Sequence, residues 1–185
     1  GFASVVRRNC RFRGEGYAHL CAIADGMDNG DLVFENCDFE SSRFPALAVA
    51  NPDPAGAGQG RRTRSVTVTG GRFVSPAIGA LFNYCTVTMS RCYVRGLLAV
   101  QTTVEAVTTI SDATVVGYNP DPASGGACKG LNVEGTGRAQ WTGAGTLAAV
   151  HAGNVGLAVP HAGNVTITGT PSIVRDIALT GALVG

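Results

Sequence analysis

Asp31-Leu32-Val33-Phe34-Glu35-Asn36-Cys37-Asp38-Phe39 is the stretch whose reading decides the fold. Leu32 and Phe34 alternate with polar neighbours, which is the period of a strand. Asn36 follows, a residue that tolerates left-handed backbone and turns a chain sharply. Beyond the turn come a small apolar residue, Cys37, and a large one, Phe39. The same order of strand, turn, small residue and strand recurs. It appears at Val5–Phe12, Val66–Phe73, Val87–Val94 and Thr108–Val115, and more weakly at Ala139–Ala144 and Val165–Thr170. The position after the turn reads Cys10, Cys37, Gly71, Cys92, Ala113, Ala144 and Thr170, small throughout. Intervals of about 20 to 35 residues are those of solenoid repeats.

A second repeat is interleaved with the first. It reads Leu20–Asp25, Ala46–Asn51, Ile78–Asn83, Leu97–Thr102, Cys128–Asn132 and Leu147–His151, with Ala or Gly at its third position. Two repeats in fixed alternation imply at least two strands per repeat. No stretch of useful length carries the 3.6-residue period of a helical solenoid. Stacked parallel strands would bury one continuous core.

The Asn-Cys-x-Phe turn after an alternating strand resembles the right-handed parallel β-helix of the pectin-lyase-like superfamily. Polysaccharide lyases and hydrolases, phage tailspikes and bacterial surface adhesins belong to that group. The resemblance implies an all-β, right-handed, single-stranded parallel β-helix of about seven coils, roughly 34 Å long at ~4.8 Å per coil. It is specific for architecture and poor for activity, because one fold hosts many functions.

Bulk properties narrow the field. The chain has 185 residues, 45% of them hydrophobic and 15% charged, which fits a single domain with a buried core over 1–185. Its 26 glycines suit many tight turns. A net charge of +1 argues against a general nucleic-acid or membrane-surface binder. No apolar run reaches membrane-spanning length. The chain opens at Gly1 without Met and without a signal-peptide pattern, which reads as a fragment or processed module of a larger chain or assembly. Of six cysteines, Cys10, Cys37 and Cys92 share one slot and read as reduced, buried core residues. Cys21, Cys85 and Cys128 lie outside that register, and no zinc-type Cys-x-x-Cys spacing exists.

Several segments are candidates for function. Arg7 takes a position that is apolar in the other copies, which predicts an exposed end coil. Asp25, Asp28 and Asp31 punctuate an acidic loop whose carboxylates suit a hard cation, although the spacing is not an EF-hand and such residues ordinarily form turns. Asn51–Arg64 is the longest insertion and ends in Arg61, Arg62 and Arg64; its Asn-Pro-Asp-Pro-Ala opening recurs at Asn119–Ala123. Loops projecting from a rigid scaffold are where binding concentrates, so Asp53, the three arginines and Asp121 are the binding-loop candidates. His151-Ala-Gly-Asn-Val recurs at His161, and reads as two turn-to-strand corners.

Catalysis has little support. The outward columns of the first strand set are Val33, Thr67, Thr88, Thr109, Gln140, Thr166 and Glu35, Thr69, Ser90, Ser111, Thr142, Thr168: hydroxyl ladders with one carboxylate. Glycoside hydrolysis ordinarily uses two carboxylates ~5–10 Å apart. Glu35 and Asp38, with Asp31 nearby, form a candidate acid cluster but sit on one coil, and the only lysine is Lys129. The Asp-Asp and Ser/Gly-His-Gly elements of the hydrolase members are absent; His151 and His161 are followed by Ala-Gly. The expectation is therefore a non-enzymatic structural or adhesive module of a virion or cell surface: part of a phage tailspike, a head fibre or a capsid-decoration protein. It would need no cofactor, would assemble with other subunits as a homotrimer, and would bind surface polysaccharide. A polysaccharide lyase or glycoside hydrolase is the alternative.

Overall fold

The computed structural model describes residues 4–16, 19–22, 30–51, 63–121, 123, 127–149, 155–159, 164–174 and 176–179. Its strands fall into seven successive triplets. The first triplet is β1 (Ser4–Arg8), β2 (Arg11–Gly14) and β3 (His19–Ala22). The second is β4 (Asp31–Glu35), β5 (Asp38–Ser41) and β6 (Leu47–Ala50); the third is β7 (Ser65–Thr69), β8 (Arg72–Val74) and β9 (Ile78–Asn83). The fourth is β10 (Thr86–Ser90), β11 (Tyr93–Gly96) and β12 (Leu98–Thr102); the fifth is β13 (Val107–Ser111), β14 (Ala113–Gly117) and β15 (Lys129–Val133). The sixth is β16 (Arg138–Trp141), β17 (Gly145–Ala149) and β18 (Val155–Val159); the seventh is β19 (Val165–Ile167), β20 (Ser172–Val174) and β21 (Asp176–Leu179). No α-helix occurs among the described residues.

Each strand pairs with the strands three before and three after it, always in parallel. The result is three parallel seven-stranded sheets. The first holds every leading strand of a triplet, the second every middle strand and the third every closing strand. This all-β arrangement is compatible with a parallel β-helix.

The turn between first and second sheets follows from residue chemistry. Asn9, Asn36, Arg91 and Asp112 all adopt left-handed backbone, φ 51–53°, directly before the small position. In the third triplet two glycines, Gly70 and Gly71, both take positive φ. A Cβ on Gly71 would lie 2.2 Å from the Cys37 carbonyl oxygen, so this corner has a different backbone from the Cys37 and Cys92 corners. The small position marks equivalent places in sequence there, not equivalent geometry.

The core runs between the sheets. Leu32, Phe34, Cys37, Phe39, Val66, Val68, Phe73, Val87, Met89, Cys92 and Ile110 are all buried, as the alternation requires. Phe39 stacks between Phe12 and Phe73, centroids 4.7 and 4.8 Å away and planes within 12°, which is the spacing of neighbouring strands. Phe34 meets Phe39 edge-on at 5.2 Å. Arg7 pairs with Phe34 in register yet is exposed, which suits its place on an outermost strand.

Some sequence registers need correction. Ala113 faces Gly145, not Ala144, and Thr146 faces Ser172, which moves Thr170 out of the small column as well. The sixth corner holds an extra residue because the bulky Trp141 indole is accommodated there, its Nε1 donating to the carbonyls of Gly143 and Ala144 at 3.1 Å. In the third sheet Ala80 faces Leu47 and Val100, so the assumed third-position column is not a spatial one. The register instead aligns Ala46, Gly79, Ala99, Gly130 and Gly156. Close approach explains that column: a Cβ on Gly79 would lie 2.5 Å from the Ala99 carbonyl oxygen. Leu147–Ala149 belongs to the second sheet, and Val155–Val159 takes its supposed place in the third. Cys10, Cys37, Cys85, Cys92 and Cys128 are free thiols, but Cys10 is only half-buried because its triplet is outermost.

Candidate functional site

The first hydroxyl column of the first sheet stands as read, and the second as far as Ser111, with Thr142 and Thr168 lying beyond the ends of β16 and β19. Val33, Thr67, Thr88, Thr109, Gln140 and Thr166 face one another strand by strand, and Glu35, Thr69, Ser90 and Ser111 form the neighbouring column. Beyond the second triplet these two columns are uncharged and mostly Thr and Ser, while the third outward column carries Val107 and Arg138.

The acid cluster does not form. Asp31 and Glu35 sit four residues apart on one strand, roughly 13 Å, beyond the separation either glycosidase geometry uses. Asp38 lies past the Asn36 turn in the second sheet. Each carboxylate is engaged by an arginine. Glu35 holds Arg8 through Nε at 2.5 Å and Nη2 at 3.5 Å, and this partner raises the pKa of the exposed Arg8. Asp38 lies 3.8 Å from Arg11. Asp31 accepts from Ser65 Oγ at 2.9 Å and lies 3.4 Å from Arg64.

That last contact also corrects the reading of the basic loop. Arg64 folds back on Asp31 and lines an open cleft of about 300 Å³ with Tyr84, Cys85 and Glu105. Asp53, Arg61 and Arg62 lie outside the described residues, as do Asp25, Asp28 and both His-Ala-Gly-Asn histidines. Among the described residues no group of His, Cys, Asp or Glu is arranged to hold a metal ion, and Asp31 is committed to Arg64 and Ser65. Asp121 is exposed in a turn where its N–H donates to Asn119 Oδ1 at 2.9 Å.

The two Asn-Pro-Asp-Pro-Ala segments share a device that sequence reading passed over. Each opens on a buried asparagine. Asn51 donates from Nδ2 to the carbonyls of Thr63 and Tyr84, both at 3.0 Å, and accepts the Thr63 N–H at 3.2 Å. It thereby clamps the base of the insertion that precedes Arg64. Asn119 closes the corresponding turn through the Asp121 N–H.

A polar network on the third sheet was also missed. Lys129 Nζ donates to Asn132 Oδ1 at 3.1 Å, Asn132 Nδ2 to Glu134 at 2.7 Å, and Gln101 Nε2 to Glu134 at 3.1 Å. Ala48 and Asn132 lie on the outward side by alternation and are nonetheless buried. These half-buried partners satisfy the buried Asn132 amide, as a folded protein requires of its buried polar groups.

The second sheet is different. Its outward columns are Arg11, Asp38, Arg72, Tyr93, Thr114 and Arg13, Glu40, Val74, Arg95, Val116. Two open clefts of about 210 and 250 Å³ lie on this face and share Glu40, Ser41 and Ser42. Glu40 is reached by Arg13 at 3.2 Å and Arg72 at 3.9 Å. Arg95 lies over the Tyr118 ring, 4.9 Å from its centroid. The groove carries cations, a hydroxyl and an aromatic ring, a set that binds oxyanions and sugars and lacks a pair of opposed carboxylates. No protein-family model, curated protein or solved structure matches the chain.

Proposed function

We propose that the three sheets are the walls of a right-handed, single-stranded parallel β-helix of seven coils, of the pectin-lyase-like type. In this reading it serves as a non-enzymatic structural or adhesive module of a virion or cell surface, such as part of a phage tailspike, a head fibre or a capsid-decoration protein. It acts as one subunit of a homotrimer or larger assembly and contacts surface polysaccharide. The observation that carries this reading is the fate of the carboxylates. Glu35, Asp38 and Glu40 each pair with an arginine on a neighbouring strand and Asp31 with Arg64 just before β7, so they act as ties along the stack. The hydroxyl columns of the first sheet allow the close approach of another subunit. Lys129 and Glu134, one base-and-acid pair that a polysaccharide lyase or glycoside hydrolase could draw on, are both hydrogen-bonded to Asn132.

The test combines native mass with glycan turnover. A trimer without cleavage of any offered polysaccharide is the expected result. Release of reducing ends or unsaturated sugar products, abolished by Lys129→Ala or Glu134→Gln, would overturn the non-enzymatic reading.

A further inference from the structure

The groove on the second sheet holds a charge that the stack does not neutralise. On this face Arg72 is flanked by Asp38 in register and shares Glu40 with Arg13, which leaves Arg95. Arg95 has no carboxylate partner among the described residues; its only recorded contact of this kind is the Tyr118 ring. A guanidinium held over a ring keeps its charge, and its fork of N–H donors matches an oxyanion. Val74, almost buried, separates Arg95 from Glu40 and gives the groove an apolar floor. Ser42 adds a hydroxyl at the shared lip of the two clefts.

We propose that this groove binds an anionic glycan chain, a saccharide carrying sulfate, phosphate or carboxylate groups, with Arg95 as the principal anchor. The proposal rests on the adhesive reading above and names its ligand class. Arg13 and Arg95 are three strands apart in one column, roughly 14 Å, so the ligand is longer than one ring. Each cleft is smaller than the ~300–1,000 Å³ of a pocket that encloses a compact ligand, which suits a chain lying along an open surface. Recognition is by guanidinium, so it needs no bridging calcium. A nucleic acid fits less well: net charge is only +1, and one face of Tyr118 is taken by Arg95, leaving less of a stacking platform.

The experiment measures binding of fluorescently labelled heparin, polygalacturonate and ribitol-phosphate teichoic acid to the full chain in EDTA. Dextran serves as the neutral control and single-stranded DNA as a competitor. At least one anionic glycan should bind, more weakly as salt rises, and the three arms identify the oxyanion. Arg95→Gln should weaken that binding by about tenfold or more, the loss of one charge-assisted contact. Arg95→Lys should fall between, and Thr88→Ala on the first sheet should leave it unchanged. Should Arg95→Gln fail to fold, Arg72→Gln supplies the same comparison. The proposal is overturned if no anionic glycan binds, if dextran binds as tightly, if calcium is required, if DNA competes equally, or if Arg95→Gln (or its substitute) binds as the parent does. Those results leave trimer formation and the lack of turnover untouched, so this site and the adhesive reading fail separately.

Discussion

Phe39→Ala is the most informative single perturbation of the stack. The side chain is fully buried, stacked on both faces by Phe12 and Phe73 and met edge-on by Phe34. Truncating a core Phe costs about 3–5 kcal/mol, and each aromatic contact contributes roughly 0.5–1.5 kcal/mol beyond area. Three such contacts place this site at the upper end, about 4–5 kcal/mol. Phe12 is half-buried on the outermost triplet and stacks on Phe39 alone among the described rings, so Phe12→Ala should cost about 2–3 kcal/mol. Against the ~5–15 kcal/mol by which domains are stable, the first change removes a large share and the second a modest one. Urea unfolding followed by far-ultraviolet circular dichroism measures both. The single tryptophan, Trp141, buried in the sixth triplet, reports independently on the distant end. If stability is summed over neighbouring repeats, Phe39→Ala should shift the dichroism transition ahead of the Trp141 transition. A cost below about 2 kcal/mol, or equal costs at Phe12 and Phe39, would refute the stacking argument.

Three further outcomes follow from particular residues. Gly71→Cys, which copies the Cys37 and Cys92 corners in sequence, should destabilise by about 2–4 kcal/mol in chemical denaturation, because φ is +87° and the new Cβ meets Cys37 backbone; a neutral result would show the corners to be equivalent. Asn36→Gly should be tolerated, whereas Asn36→Val should cost about 1–2 kcal/mol on the same assay, since φ is 51° there. Burial pushes the Cys92 thiol up to about 12 from an ordinary 9.0, so the fold favours its protonated form; that stability is intact below pH 9 and declines by at most about 1.4 kcal/mol per pH unit between 9 and 12. Unfolding measured across that range should be flatter for Cys92→Ala, and no difference from the parent would count against the buried thiol.

The first repeat was legible because it combines three independent signals: alternation, a left-handed turn residue and a small residue after it. Those signals located every leading strand, the first hydroxyl column and the second as far as Ser111. The second repeat was harder to place, because Ala, Gly and Leu recur in it at several offsets. Its register is set by close approach at Gly79 and Gly96, where a Cβ would lie within 2.7 Å of neighbouring backbone, and such contacts leave no periodic trace. The acid cluster misled for a related reason. Asp31, Glu35 and Asp38 are near in sequence, but their partners Arg64, Arg8 and Arg11 come from neighbouring triplets. The Lys129–Asn132–Glu134 chain lay within six residues but crosses the period of the strand, so it was readable only once the register set Asn132 against Gln101.

Parallel stacking in register constrains every outward column, because identical positions recur at ~4.8 Å and like charges directly opposite repel. Two solutions are visible in this chain. Beyond the second triplet two outward columns of the first sheet use mainly Thr and Ser, which stack without charge, and Arg138 stands opposite the uncharged Val107. The second sheet alternates sign: Arg11, Asp38 and Arg72 in one column, Arg13 and Glu40 in the next. Every charge in those runs is accounted for by its neighbour along the stack. Arg95 is not, for Val74 and Val116 flank it in its column and neither offers a counter-charge. A charge placed for the sake of the stack would have a partner one strand away. Arg95 instead has an aromatic ring beneath it and an open groove before it. The stack accounts for the position of its Cα, no carboxylate of the described residues accounts for its charge, and the proposed anionic ligand would supply that counter-charge.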